Sequence, residues 1–206
     1  LKSRMIRYLH QECGFKVLAL ESGIADIFLE FQKIDSLSPV KLRNNTVFGN
    51  FQCKEIMPLF DYIKESQQRS DPIIYSGFDS QNFGASYQLL QKIMHELEGR
   101  TGDSVFRNIS GYFRIPSMLW QEDRKPLFAL ADSIKSAATY TLDCINRHEQ
   151  TILQQYKLSP LAFRFLQRAV SNYRESVSLD WNTEDPVSKR DSLMAANLFW
   201  LMDEIY

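Results

Sequence analysis

The chain of 206 residues carries 24 Lys and Arg against 25 Asp and Glu, a formal net charge of −1, with 44% apolar and 24% charged residues. That balance supplies no drive toward nucleic acid or an anionic membrane, and no apolar run approaches the roughly 20 residues of a membrane span. Cys13, Cys53 and Cys144 are scattered, odd in number and form no C-x-x-C, which argues against a disulfide framework and a structural zinc site and suits a reducing, cytoplasmic setting.

In chain order, Met5, Ile6, Leu9 and Cys13 follow helical spacing up to Gly14, a C-terminal stop signal. Lys16 to Leu20 is a short apolar run of the kind found in parallel strands, and it ends in Glu21 before a Ser22-Gly23 turn. Ile24, Ile27, Phe28 and Phe31 predict an amphipathic helix reaching Ile34. Ser38-Pro39 reads as an N-cap with Pro at the first helical position, and residues 44–50 as a loop. A helix is expected from Lys54 to Gln68, with a kink or late start at Pro58. Ser70-Asp71-Pro72 then turns the chain into a second strand, Ile73 to Tyr75, which runs into Ser76-Gly77-Phe78-Asp79.

A helix from Ser86 to Leu97 follows, and Gly99 to Trp120 reads as irregular and aromatic. Apolar spacing from Leu127 to Tyr156 and from Leu161 to Val177, separated by a Ser159-Pro160 cap, predicts an antiparallel helical hairpin. Trp181 to Lys189 reads as a polar linker, and a last helix from Asp191 buries Leu193, Met194, Leu198 and Leu201. The sum is a predominantly helical α/β fold whose small parallel sheet takes two strands from this chain. Residues 1–98 form the expected core, 99–180 a helical cap over the strand ends, and 181–206 a helix returning to the core. Leu1 already lies in a helical pattern and Tyr206 closes another, so a longer polypeptide is expected.

Two apolar strands that each end in an acid before a Gly-containing turn point to one site. Ligands of open α/β sheets sit outside the carboxyl ends of the strands. A carboxylate there is either paired or employed, and Glu21 and Asp79 are the two candidates, although Asp79 also suits a helix N-cap. No P-loop, G-x-S-x-G, H-E-x-x-H or G-x-G-x-x-G is present. His10, His95 and His148 fall in helical patterns without an acid or thiol spaced to orient them, and read as surface or core-edge residues. Lys2 and Arg190 read as solvated helix residues by spacing alone.

Four ordered blocks nevertheless resemble the erythromycin esterase family, which includes chains described as succinoglycan biosynthesis proteins. The first is a basic residue followed by G-F-x-x-x-A-x-E, here Lys2 and Gly14-Phe15 through Ala19 to Glu21. The second is an acid before an apolar helix, here Glu55 and Tyr62-Ile63-Lys64-Glu65-Ser66-Gln67. Lys64 and Gln67 depart from the family's arginine and asparagine, and no role is carried onto them. The third is G-[FI]-D, here Gly77-Phe78-Asp79, with Gly84, Ser86 and Tyr87 following. The fourth is R-D-x-x-M-A-x-N-x-x-W-L, here Arg190-Asp191, Met194-Ala195, Asn197 and Trp200-Leu201.

The resemblance implies hydrolysis of a bulky or macrocyclic ester without metal or other cofactor, with a macrolide lactone as the namesake substrate and antibiotic resistance as its setting. The small-molecule ester would be the partner, with no nucleic acid and no membrane involved. In the family a histidine in an upstream G-E-x-x-H segment is the base that activates water, and a downstream strand ends in an H-N-x-H segment; this chain contains neither segment. Glu21 would be catalytic, either orienting and stabilising such a histidine or orienting the water, while Lys2, Asp79 and Arg190 would be binding residues, the two basic ones neutralising clustered acids or the oxyanion. A non-enzymatic helical binding module and a metal-dependent hydrolase are the rival expectations.

Overall fold

The computed structural model describes residues 2–118, 125–178 and 186–206. Helix α1 (Lys2–Cys13) leads into strand β1 (Val17–Gly23), which pairs in parallel with β2 (Ile74–Asp79). Between the strands lie α2 (Ile24–Phe31), α3 (Pro39–Thr46) and α4 (Met57–Ser66). The Ser38 hydroxyl accepts from the Lys41 amide at 3.3 Å to cap α3, as the Ser-Pro pair predicts. Pro58 sits in the first turn of α4, so that helix starts late, after a separate 3₁₀ turn over Lys54–Ile56.

Helix α5 (Ala85–Ser110) follows β2, then a 3₁₀ turn (Gly111–Arg114) and the short α6 (Ile115–Met118). Helices α7 (Lys125–Arg147), α8 (Glu149–Gln155), α9 (Pro160–Ser176) and α10 (Pro186–Glu204) complete the fold. Among the described residues no helix is long and apolar enough to cross a membrane.

Five boundaries correct the sequence reading. Residues 99–118 are helical rather than irregular, because Val105, Phe106 and Ile109 continue the apolar stripe of α5 beyond a sharp kink. Gly99 makes that kink at φ 55°, ψ −130°, a conformation a side chain would strain. Residues 44–46 belong to α3 rather than to a loop, and α2 stops at Phe31, before a 3₁₀ turn over Ile34–Ser36. The stretch from Leu127 to Tyr156 is two helices broken at His148, not one. The last helix begins at Pro186 rather than near Asp191, since proline needs no intrahelical partner in a first turn. Trp120 and the linker residues 181–185 lie outside the described residues.

The sheet pairs Val17 with Ile74 and Leu20 with Gly77, then Gly23 with Asp79. Two residues of β1, Glu21 and Ser22, therefore face one residue of β2, Phe78. This is a bulge, which bends a strand and re-aims its side chains. Gly77 permits it: a Cβ there would meet the Ser22 carbonyl oxygen at 2.5 Å and that of Gly23 at 2.7 Å.

Helix α2 is buried from Ile24 to Glu30 and separates two cores. Ile24, Ala25, Phe28 and Leu29 pack with α5, α7, α9 and Leu201 of α10. Ile27 faces the other way, into the core of the sheet, α3 and α4 around Leu42, Phe60, Ile63 and Tyr75. Phe28 stacks on Phe165 of α9 with ring centroids 3.9 Å apart, so the α7–α9 hairpin shares its core with the α2 side of the sheet.

Candidate functional site

At the carboxyl ends of both strands, Arg190 of α10 holds two acids. Its Nη2 donates to Glu21 Oε1 at 2.8 Å and to Asp79 Oδ2 at 2.5 Å, and its Nε donates to Asp79 Oδ1 at 3.3 Å. The guanidinium forks onto Asp79 and reaches sideways to Glu21. Asp79 has 0% of its side chain exposed, Arg190 30% and Glu21 46%. Asp79 foremost, and Glu21 after it, hold the Arg190 proton more tightly than usual, against the opposing effect of burial.

The expensive carboxylate of this site is therefore Asp79, not Glu21. The bulge swings Glu21 out of the strand's apolar rhythm. Asp79 does not cap α5; besides Arg190 it accepts from the Gln81 amide at 3.1 Å.

The capping task belongs to Asp26, which the sequence reading passed over. Its Oδ2 accepts from the amides of Phe83 and Gly84 at 2.8 and 2.9 Å. Its Oδ1 accepts from the amide and hydroxyl of Ser86 at 2.8 and 2.5 Å. Asn82 Oδ1 accepts from the Ala25 amide at 3.1 Å, and the Tyr173 hydroxyl donates to the Asn82 carbonyl. These bonds fix the loop after β2, and with it Asp79. Asp26 gave no signal because an acid in the first turn of a helix is ordinary, and its partners lie about 60 residues away.

Asn197 delivers Arg190 to this place. Its Nδ2 donates to the Phe78 carbonyl at 3.0 Å, and its Oδ1 accepts from Arg168 Nε at 2.6 Å. Arg190 and Asn197 are seven residues apart, two helical turns, so one face of α10 carries both toward β2. The spacing in R-D-x-x-M-A-x-N thus has a physical reason. Tyr112 lies near the same charges: burial pushes its phenol up, Asp79 adds to the rise, and Ser176 and Arg190 oppose it.

In front of Glu21 opens a cleft of about 500 Å³. Ile6, Leu20, Val47, Phe51, Ile56 and Leu59 make its wall apolar, and Lys2, Glu21 and Glu55 supply its charged groups. A backbone amide and Cys53 hold the Glu55 carboxyl below the usual range. The structure thus joins Glu21, Asp79 and Arg190 through ion pairs and sets Lys2 on the cleft that Glu21 lines, with Asp79 and Arg190 behind it.

None of the three histidines lines this cleft. His10 is buried and its Nδ1 lies 2.5 Å from the Tyr62 hydroxyl, while His95 bonds Asp103 at 3.0 Å. His148 stands near Glu98 and Cys144 on another face of the molecule.

A family model described as "Erythromycin esterase" matches residues 10–205. A Bacillus subtilis (strain 168) protein named "Putative hydrolase YbfO" is 39% identical over 88 residues, 43% of this chain and 20% of that protein. A crystal structure of a Bacillus cereus protein superimposes with a TM-score of 0.67 at 15% identity, covering 99% of this chain and 50% of the other. A structure titled as a succinoglycan biosynthesis protein gives a TM-score of 0.60 at 13% identity, covering 98% of this chain and 49% of the other. The chain spans about half the length of these two structures, and at such identities they speak for the fold.

Proposed function

The chain belongs to the erythromycin esterase family, and from that premise we propose that it supplies the acidic side and the substrate cleft of a hydrolase cleaving a bulky ester with histidine-activated water. The observation that carries this reading is Glu21, lifted by a strand bulge onto the wall of an apolar cleft and held there by Arg190. Arg190 engages Oε1, and no hydrogen bond among the described residues occupies Oε2. A carboxylate presented that way can hold an imidazole in one tautomer and stabilise the imidazolium formed when water gives up its proton.

The base in this proposal is a histidine other than His10, His95 and His148, since those three have partners or positions elsewhere. Lys2 would stand by the ester carbonyl and stabilise the oxyanion as water adds. The released alkoxide would take its proton from the imidazolium. The cleft falls within the several-hundred-Å³ range of sites that enclose drug-sized molecules, and its wall suits an apolar macrolactone or acyl group. A metal bridging Glu21 and Asp79 is disfavoured, because the Arg190 guanidinium takes the place between them that a divalent ion would fill.

The test is a panel of macrolide lactones and chromogenic aryl esters offered to the complete protein and to its Glu21→Gln variant. Hydrolysis by the parent with kcat lowered at least about a hundredfold in the variant is expected. No hydrolysis of any member of the panel, or equal rates for parent and variant, would contradict the proposal.

A further inference from the structure

Away from the cleft, α7 presents Tyr140 and Cys144 at successive turns of one stripe, His148 follows at the break before α8, and Glu98 of α5 faces them across the helix pair. One ligand atom each of Glu98, Cys144 and His148 lies within 4.8 Å of the other two. The Cys144 thiol donates to Glu98 Oε1 at 3.4 Å, and the Tyr140 hydroxyl donates to Oε2 at 2.9 Å. From this convergence we infer a divalent metal site, with zinc as the ion it takes.

The geometry is that of a site with its first three ligands already gathered. Tetrahedral zinc with bonds of about 2.0–2.3 Å sets neighbouring ligand atoms roughly 3.4–3.6 Å apart. Cys144 Sγ and Glu98 Oε1 are already at 3.4 Å, and a rotamer adjustment of the half-exposed His148 closes the remainder. Tyr140 supplies the outer hydrogen bond that metal-ligating carboxylates usually have, fixing Oε2 so that Oε1 is the ligand. Gly99 turns the backbone immediately after Glu98, which brings that carboxylate to α7 instead of continuing along the helix.

The donor set chooses the ion. A thiolate, an imidazole and a carboxylate suit zinc, whereas calcium and magnesium require oxygen ligands. With Cys144 deprotonated, two negative charges balance Zn²⁺. The hydrogen bonds from Tyr140 and then Cys144, with a smaller part from Arg147, hold Glu98 ionised, while Arg147 Nε donates to its own helix at the Asp143 carbonyl, at 3.3 Å.

Without metal the Cys144 thiol donates its proton toward Glu98 Oε1. Binding then exchanges that proton for the ion: one S–H bond breaks, one Zn–S bond forms, one proton is released and no electron moves. The fourth position is left for water, on the side where Glu98 and His148 reach the surface. The ion would tie the kink of α5 to the break between α7 and α8, a structural task separate from the cleft.

The experiment uses the complete protein with Cys13→Ser and Cys53→Ser, reduced and stripped with a chelator, titrated with Zn²⁺ alone and then with Co²⁺. The expected result is a zinc site of one equivalent and a thiolate-to-cobalt charge-transfer band. Cys144→Ser should abolish the band and weaken zinc at least a hundredfold, with Glu98→Gln and His148→Ala each costing tenfold or more. Tyr140→Phe, which leaves all three ligands in place, should cost several-fold, and His95→Ala nothing. Far-UV circular dichroism of each metal-free variant separates loss of ligand from loss of fold. A cobalt band surviving Cys144→Ser, or zinc affinity equal in parent, Cys144→Ser and His148→Ala, would overturn the inference.

Discussion

The strand-end cluster and the α5–α7 cluster both gather ionisable groups against a wall of helices, yet they close their charge in opposite ways. At the strand ends the chain provides its own cation: Arg190 satisfies Asp79 completely and Glu21 on one oxygen. Between α5 and α7 there is a carboxylate, a thiol and an imidazole, and the carboxylate accepts on one oxygen from the Tyr140 hydroxyl and on the other from the Cys144 thiol. An acid pair with an internal guanidinium is a fixed arrangement, able to present one free oxygen without changing shape. A cluster closed by neutral donors, one of them an exchangeable thiol proton, is open to an outside cation. A carboxylate thus belongs to a rigid site in one place and to an ion-accepting one in the other.

The strongest way to break the comparison is to remove the internal cation. Arg190→Met should strand the Asp79 carboxylate where none of its side chain meets solvent, costing about 3–5 kcal/mol in urea unfolding. A loss below about 1 kcal/mol would mean that water reaches Asp79 and that the first cluster is not closed by Arg190. The second cluster predicts a gain instead: zinc at a hundred times its dissociation constant should add about 2.7 kcal/mol, seen as a raised Tm that Cys144→Ser does not share.

A smaller effect sharpens the contrast by asking what an unpartnered group costs in the same helical layer. Thr141, next to that stripe on α7, is fully buried and its hydroxyl has no hydrogen-bond partner among the described residues. Thr141→Val should leave stability unchanged or raise it by about 1 kcal/mol, and a clear loss would show that the hydroxyl is satisfied by water.

How far these clusters could be read in the sequence follows from how local their signals are. The two parallel strands were legible because short apolar runs ending in acid and glycine are local patterns. So was the alliance of Glu21 with Asp79, since parallel pairing brings both carboxyl ends to one edge. Arg190 was legible only through its resemblance block, because the bonds that seat α10, from Asn197 to the Phe78 carbonyl, join residues 119 positions apart. The exposure of Glu21 could not be read from the sequence because a bulge is a property of the pair: Gly77 on β2 makes room for it on β1.

Gly99 and Gly102 read as breakers and hid the second half of α5, where the apolar stripe outweighs them. The α5–α7 cluster left no linear motif at all. Cys144 and His148 are one helical turn apart, but their third member is 46 residues upstream of Cys144 and meets them only through helix packing. The expectation of no zinc site rested on the missing C-x-x-C, a rule about local spacing that does not reach a ligand set built by tertiary contact.

The central claim is that Glu21 acts in chemistry while Asp79 holds the structure beneath it, and the paired measurement of kcat and Tm in Glu21→Gln and Asp79→Asn of the complete protein tests it most directly. Glu21→Gln should lose at least about a hundredfold in kcat with Tm within about 2 °C of the parent, since its side chain is 46% exposed and the amide oxygen still accepts from Arg190. Asp79→Asn should lose Tm as well, by roughly the several degrees that about 2–3 kcal/mol represents in a chain of this size. A Glu21→Gln protein that melts well below the parent while its folded fraction keeps the parent's kcat would contradict the account.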